Sequence, residues 1–279
     1  MMRTMRMPRL IPLPLFAFRR SVLVATLLAG CAGLPGAPGA DPLALLPADA
    51  ILLGEQHDAP EHQKIHAEVV TLLARRGNLA AVAMEMVEQG RSTVGLSSRS
   101  DATAVRRALH WNDTAWPWRL YGPAVMAAVA QDVPVVGANL PRSEMRAAMQ
   151  DLSLDQRLPP AALDAQRSAI RAGHCDLLPQ TQIAPMTRVQ IARDLAMAQT
   201  VTDNARSGTV VLLLAGSGHV DRALGVPQYL PPSLRAKAVR LLAGGSGPTS
   251  APTPSFDAVW ATPPVPAKDH CAALQRTLP

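Results

Sequence analysis

Four short, uninterrupted apolar runs limit what this chain can fold into more than any other feature. They are Ala50-Ile-Leu-Leu53, Ala80-Ala-Val-Ala-Met84, Val133-Pro-Val-Val136 and Thr209-Val-Val-Leu-Leu-Leu214. Runs of this length, apolar almost throughout, suit strands covered on both faces, as in a parallel sheet. Pro134 falls near the start of its run, where a missing N–H costs the ladder least. Helical patterns lie between the runs. Glu61 to Arg75 places Ile65, Val69, Leu72 and Leu73 on one stripe, and Gly122 to Gln131 and Arg188 to Asn204 read as helices too. The alternation predicts an α/β fold: a mostly parallel central sheet flanked by helices. Residues 142–205 hold no convincing strand, and their helix-like segments are broken by Pro159-Pro160, Gly173 and Pro179. We expect them to form a helical lobe inserted beside the sheet. Phe256-Asp-Ala-Val-Trp-Ala261 is expected as a late edge strand.

The N-terminus has a different character. Arg3, Arg6, Arg9, Arg19 and Arg20 precede the apolar run Ser21 to Gly30, and no acid occurs among them. A basic stretch, a short apolar stretch and a small-residue site are the layout of a secretory signal. The apolar run is far below the roughly 20 residues that span a bilayer, so it is expected to be removed. Leu28-Ala29-Gly30-Cys31 resembles a lipobox, in which the cysteine is acylated and becomes the new first residue. Residues 1–30 thus read as a lipoprotein signal peptide. Residues 31–44 read as the lipidated Cys31 (palmitate among its acyl groups) and a Gly/Pro/Ala-rich tether. A single domain is expected over 45–279. This places the body at the envelope of a bacterium, in the periplasm or at the cell surface. Ala32 after the cysteine favours the outer membrane.

Removing the signal changes the charge. The formal +6 includes the five arginines of residues 1–20, so the body is left at +1. Nucleic-acid binding, which requires a dense basic face, thereby loses its support, and no nucleic acid is expected as a partner. Cys175 and Cys271 then remain, and a bridge, buried thiols or metal ligands are all open. Aromatic residues make up only 3% of the chain, so the cluster Trp111, Trp116, Trp118 and Tyr121 needs its own explanation.

The chemistry sits where apolar runs end. Gly54-Glu55-Gln56-His57 follows Ile51-Leu-Leu53, and Gly216-Ser217-Gly218-His219 follows Val210 to Ala215. In open α/β sheets, sites form beyond the carboxyl ends of the strands. Glycine allows a sharp turn there, and a histidine three residues on can face the crevice. Glu55 lies inside the first turn, and Glu85 ends the run Ala80 to Met84. His57, His219, Glu55 and Glu85 therefore form either a divalent-metal site or an acid–base set. His62 and His66 share a helix face; His62 is expected to look toward the site and His66 to be a solvated bystander.

Several blocks together carry a resemblance: Gly54-Glu-Gln-His-Asp-Ala-Pro-Glu-His-Gln63, Ala83-Met-Glu-Met86, Trp116-Pro-Trp-Arg-Leu-Tyr-Gly-Pro123, Gly137-Ala-Asn139, Gln190-Ile-Ala-Arg-Asp-Leu-Ala-Met-Ala198 and Ala215-Gly-Ser-Gly-His-Val220. In order, they resemble the ChaN family of iron-regulated, haem-binding lipoproteins. That family lies in the Tiki superfamily with Tiki metalloproteases and erythromycin-esterase-like enzymes. The resemblance implies an α/β core with a helical lobe, and binding of haem or another iron-containing small molecule. A homodimer is left open. Haem needs an axial ligand, apolar faces and cations for its propionates. Tyr121 and Tyr229 are the rival ligands, and Arg193 is the expected propionate partner, its own alternative being a surface pair with Asp194. Met145, Met149, Met186 and Met197 could line an apolar wall or be plain core. The superfamily's enzymes imply the other outcome, a metal-dependent hydrolase using Glu55, His57, Glu85 and His219.

Overall fold

The computed structural model describes residues 41–244 and 254–276. The expectations for the signal, Cys31 and most of the tether fall on residues 1–40 and lie outside those described. In chain order the main elements are β1 (Ala50–Glu55), α1 (Pro60–Arg75), β2 (Leu79–Glu88), α2 (Ala102–Ala108), α3 (Trp118–Val129), β3 (Val135–Asn139), α4 (Met145–Gln150), α5 (Pro160–Gly173), α6 (Gln180–Asn204), β4 (Val210–Gly216), β5 (Ala236–Ala243), β6 (Ala258–Thr262) and α7 (His270–Gln275).

The strands form one six-stranded sheet in the order β3-β2-β4-β1-β5-β6. Every pairing is parallel. β1 and β4 are buried at every position, which is why they read as continuous apolar runs. The two faces are covered by different helices. Ile65, Val69 and Leu73 of α1 and Val125 of α3 pack with Ile51, Leu53, Val82 and Leu212 on one face. Met197, Ala198 and Val201 of α6 pack with Leu52, Ala83, Val211 and Leu213 on the other. The α/β architecture expected from the sequence is thus the one observed.

The strand order positions the site. From β1 the chain crosses to β2 on one side, and from β4 it crosses to β5 on the other. The reversal falls between β1 and β4, the switch point at which such sheets open a crevice beyond their carboxyl ends. Register completes the alignment, since Glu55 is paired with Gly216. The two Gly-x-x-His turns therefore leave the sheet side by side.

Two elements depart from the sequence reading. β5 was not expected, because Lys237 and Arg240 interrupt its apolar pattern. It is only half covered beside the edge strand β6, and Arg240 faces solvent. β2 runs four residues past Met84, to Glu88, so Glu85 lies within a strand instead of ending one. Its pairing with β4 stops at Met84, and its pairing with β3 shifts between Met84 and Glu88. The Glu85 side chain is thereby freed toward the β4 turn.

Between β3 and β4 the described chain has only helices and 3-10 turns. Leu154, Leu158, Leu163, Val189 and Ile191 form a small core of their own there. α6 serves both cores, with Val189 and Ile191 on one and Met197 and Val201 on the other. Cys175 and Cys271 form a disulfide with Cα atoms 5.5 Å apart, so neither is a free thiol or metal ligand. The bridge ties the α5–α6 connection to α7.

Candidate functional site

The two turns leave no room for side chains at their glycines. A Cβ on Gly54 would stand 2.3 Å from Val220 Cγ2 and 2.9 Å from Ser217 Cα, so the β4 turn packs directly on β1. A Cβ on Gly216 would stand 3.0 Å from His57 Nε2. Glycine at both positions lets the turns approach until the histidines share one site.

Each imidazole is oriented by a carboxylate. His57 Nδ1 lies 2.6 Å from Glu55 Oε1. His219 Nδ1 lies 2.5 Å from Asp194 Oδ1. The opposite nitrogens both face Glu85 Oε1, His219 Nε2 at 3.5 Å and His57 Nε2 at 3.9 Å. The backbone N–H of Gly216 donates to Glu85 Oε2 at 2.7 Å. Carboxylates fix ring orientation in this way around metal-binding histidines. Among the described residues, no group of three or more His, Cys, Asp or Glu stands ready to hold a metal ion.

Electrostatics follow from enclosure. Burial alone would raise the Glu85 carboxyl, but His219, His57 and the Gly216 N–H outweigh it and hold the group at about 2. Burial would likewise lower His219, yet Glu85 and Asp194 push it up to about 10. Asp194 is itself pushed up to about 6, burial outweighing the imidazole beside it. His57 is raised: the pull of Glu55 and Glu85 exceeds the effect of burial. The sheet edge thus holds compensated charge, buried at Glu85, Asp194 and His219 and open to solvent at His57.

Glu55 has a second set of partners. Tyr121 Oη donates to its Oε1 at 2.7 Å, and Gln63 Nε2 donates to its Oε2 at 2.6 Å. Burial and the Glu55 charge push the Tyr121 phenol well above its ordinary value. Tyr121, 2% exposed, is therefore a buried donor to Glu55 and lines neither cleft described below. Tyr229 is also raised, by burial and by Asp194. It packs between the core under α6 and the core of the helical segment, with its hydroxyl buried.

The two helix histidines exchange the roles expected of them. His62 looks away from the site: its Nδ1 accepts from Gln56 N at 2.9 Å and its Nε2 meets Thr262 Oγ1 at 2.9 Å. His66 is buried beneath the site, with Nδ1 3.5 Å from Glu55 Oε2. A helix face opposite a sheet is not solvated, so both rings are enclosed.

Two clefts open at this edge. One, of about 390 Å³, is lined by Glu85, Trp116, Arg91, Arg142, Arg193 and others. The other, of about 610 Å³, is lined by Glu55, His57, Ser217, His219, Arg240 and His270 among others. Trp116 stands edge-on to His57 at 4.9 Å and belongs to the first cleft. Arg193 is not a surface partner of Asp194, which is buried against His219. The Arg193 Nε is buried without a hydrogen-bond partner among the described residues. Of the four methionines, Met145 lines the first cleft and Met197 is core.

Sequence reasoning missed Asp194, Gln63, Arg91 and Arg142. Asp194 had a readable signal: it lies four residues after Gln190, whose amide is 3.0 Å from His219 Nδ1, so one helix face serves that ring. The arginines had none, because only the fold gathers them.

Comparison with known proteins agrees with this architecture. A family model described as haem-binding uptake, Tiki superfamily, ChaN, matches residues 43–230. Among solved structures, the chain is similar to a ChaN of Campylobacter jejuni with cofacially bound haem. The TM-score is 0.63 at 24% identity, over 78% of this chain and 88% of that one. The type III effector HopBA1 aligns with a TM-score of 0.41 at 14% identity, over 78% of this chain and 88% of its own. No curated protein matches the chain. With the family model covering most of the described residues, and the paired turns set at one switch point, the chain belongs to the ChaN family of the Tiki superfamily.

Proposed function

We propose that this protein binds haem in the arginine-lined cleft beside Trp116, and handles it for iron uptake at the bacterial envelope. The observation that carries the reading is Arg193. A buried guanidinium nitrogen without a partner costs free energy unless a ligand supplies an acceptor. A propionate does so, and a guanidinium suits its two oxygens. Arg91 and Arg142 line the same cleft, and Trp116, Leu140 and Met145 give it apolar surface. These residues fit a porphyrin edge: cations for the carboxylates, apolar side chains for the ring. Haem bound there would be carried iron, and the protein's part would be to grip and shield it. The family supports the same reading, and the Campylobacter protein binds haem. Lipidation at Cys31 after loss of residues 1–30 would hold the body at a membrane, the outer one being favoured by Ala32.

Titration of the purified protein with haemin tests this. A saturable visible band is expected, with affinity reduced about tenfold or more in Arg193→Ala, the order of one charged hydrogen bond. Absence of any saturable band would refute the reading.

A second reading has its own observation. His57 Nε2, His219 Nε2 and Glu85 Oε1 face one another, each ring braced by a carboxylate. These three are not set to hold an ion as they stand, so a divalent metal would have to draw the two rings and Glu85 together before it polarised a water or a carbonyl, as in a hydrolase. Metal analysis of the same preparation decides it: stoichiometric metal lost in His219→Ala supports the hydrolase, and metal-free protein rejects it.

A further inference from the structure

We propose that the Cys175–Cys271 disulfide is a redox latch on the cleft that His57 lines. It holds the C-terminal strap, residues 263–276, as one wall of that cleft, and its reduction lets the wall go. The inference concerns the cleft of about 610 Å³ and does not depend on what either cleft binds. The strap leaves the sheet after β6 and runs through 263–269 without regular structure to α7. His270, the first residue of α7, lines the cleft together with His57, Asp58 and His219. Two ion pairs draw the strap to Asp58, the residue after His57. His270 Nε2 lies 3.1 Å from Asp58 Oδ2, and Lys268 Nζ lies 3.7 Å from the same oxygen. The next residue along, Cys271, carries the disulfide.

The other ties seen among the described residues are weak. None of the side chains described between 263 and 276 is buried, so apolar burial holds the strap little. The His270 and Lys268 side chains are 66% and 57% exposed, and exposed ion pairs contribute little. α7 has only 6 residues, too few for a helix that stands alone. The far end of the bridge is fixed by contrast. Cys175 lies in the connection between α5 and α6, where its N–H bonds to Ala172 O and that of Asp176 bonds to Arg171 O. Leu163 of α5 and Ile191 of α6 both pack into the core of the helical segment. Breaking the bridge therefore frees the strap and leaves the connection in place. Cys271 is exposed and Cys175 half-buried, and exposed disulfides are the ones that exchange readily. A thiolate of a dithiol reductant attacks Cys271 Sγ, forming a mixed disulfide as Cys175 leaves as a thiolate. The second thiolate of the reductant then attacks its own half of the mixed disulfide and expels Cys271. Two electrons pass to the cysteines, and the two protons given up by the reductant end on Cys175 and Cys271. With the strap gone, Asp58 loses both partners, and the mouth of the cleft beside His57 becomes wider and more acidic.

Dithiothreitol reduction of the full-length protein tests the latch, with thiols counted by alkylation and amide hydrogen exchange followed by mass spectrometry. Reduction should speed exchange over 263–276 about tenfold or more while β1 and β4 exchange as before, the mark of a local opening. Carbethoxylation of His57 by diethyl pyrocarbonate should quicken about twofold or more, as the wall beside it opens. Cys271→Ser should reproduce both changes without reductant. Oxidised Asp58→Asn should keep the strap protected, because the disulfide holds it without the ion pairs. Full reduction with exchange over 263–276 unchanged would overturn the proposal, as would two free thiols in protein purified without reductant. Equal gains of exchange in β1 and β4 would also overturn it, as the sign of a brace for the whole fold. A freed strap with unchanged labelling of His57 would show that it does not guard the cleft. Loss of strap protection in oxidised Asp58→Asn would assign the hold to the ion pairs instead.

Discussion

Glu55 shows how much a single buried carboxylate can organise. It is fully enclosed, yet its oxygens meet His57, Tyr121 and Gln63 within hydrogen-bond distance. Burial would raise its carboxyl, but these donors and the nearby His66 hold it below the usual range. The charge is therefore retained, and it orients His57. Tyr121→Phe would remove one donor and leave Oε1 to His57 alone. We expect a loss of about 1–2 kcal/mol, the cost of unsatisfying a buried charged acceptor, read as a lower urea midpoint. The haemin spectrum should be unaltered, because Tyr121 faces Glu55 and not a cleft. A shifted haemin spectrum in Tyr121→Phe would return the phenol to the ligand list.

At the scale of elements, His62 fastens α1 to the turn after β1 and to β6. Its ring must be neutral to accept from Gln56 N at one nitrogen while the other meets Thr262. Burial lowers its pKa to about 4, aided by the nearby His66. The sign follows directly. A histidine depressed by folding stabilises the folded state above its unfolded pKa, and that contribution is lost as pH falls. The window runs from about 6.5 down to about 4, at a rate of up to about 1.4 kcal/mol per pH unit. Chemical denaturation should show stability falling across this window. His62→Gln should flatten the dependence, whatever it does to stability at pH 7. A variant with the wild-type slope would show that another group titrates.

For the whole molecule, the proposed role at the envelope requires an anchor. No described helix is long and apolar enough to cross a membrane. The proposed anchor is Cys31, and residues 31–279 carry a formal charge of only +1, too little for strong attraction to anionic lipid. A single acyl chain binds membranes weakly, so stable anchoring depends on the multiple chains of a lipoprotein cysteine. Cys31→Ser, expressed in a bacterial host, should abolish palmitate labelling and move the protein from the membrane to the soluble fraction. High salt should not release the wild type. Retention of the variant on membranes would exclude the lipid as the anchor.

Some of this was readable residue by residue, and some was not. β1, β2 and β4 are covered on both faces, so their sequences are apolar without a break, and the parallel α/β fold follows from that pattern. Gly54 and Gly216 were legible as turn residues because they sit where apolar runs stop. β5 was hidden because it lies next to the sheet edge, where Lys237 and Arg240 are tolerated. His62 and His66 were misjudged because spacing shows that two side chains share a helix face but not what that face meets. Asp194 was masked by the arginine before it. The sequence by itself determined the apolar strands of a parallel sheet, the glycines at the ends of β1 and β4, and Glu55, His57, Glu85 and His219 beside them, since local burial and turn geometry leave local traces. Only the tertiary structure decided that Glu55 pairs with Gly216 across 161 residues, that Tyr121 is buried under Glu55, and that Arg91, Arg142 and Arg193 line one cleft. Those facts depend on strand order and helix placement, which arise from contacts between distant segments and leave no periodic mark on either one.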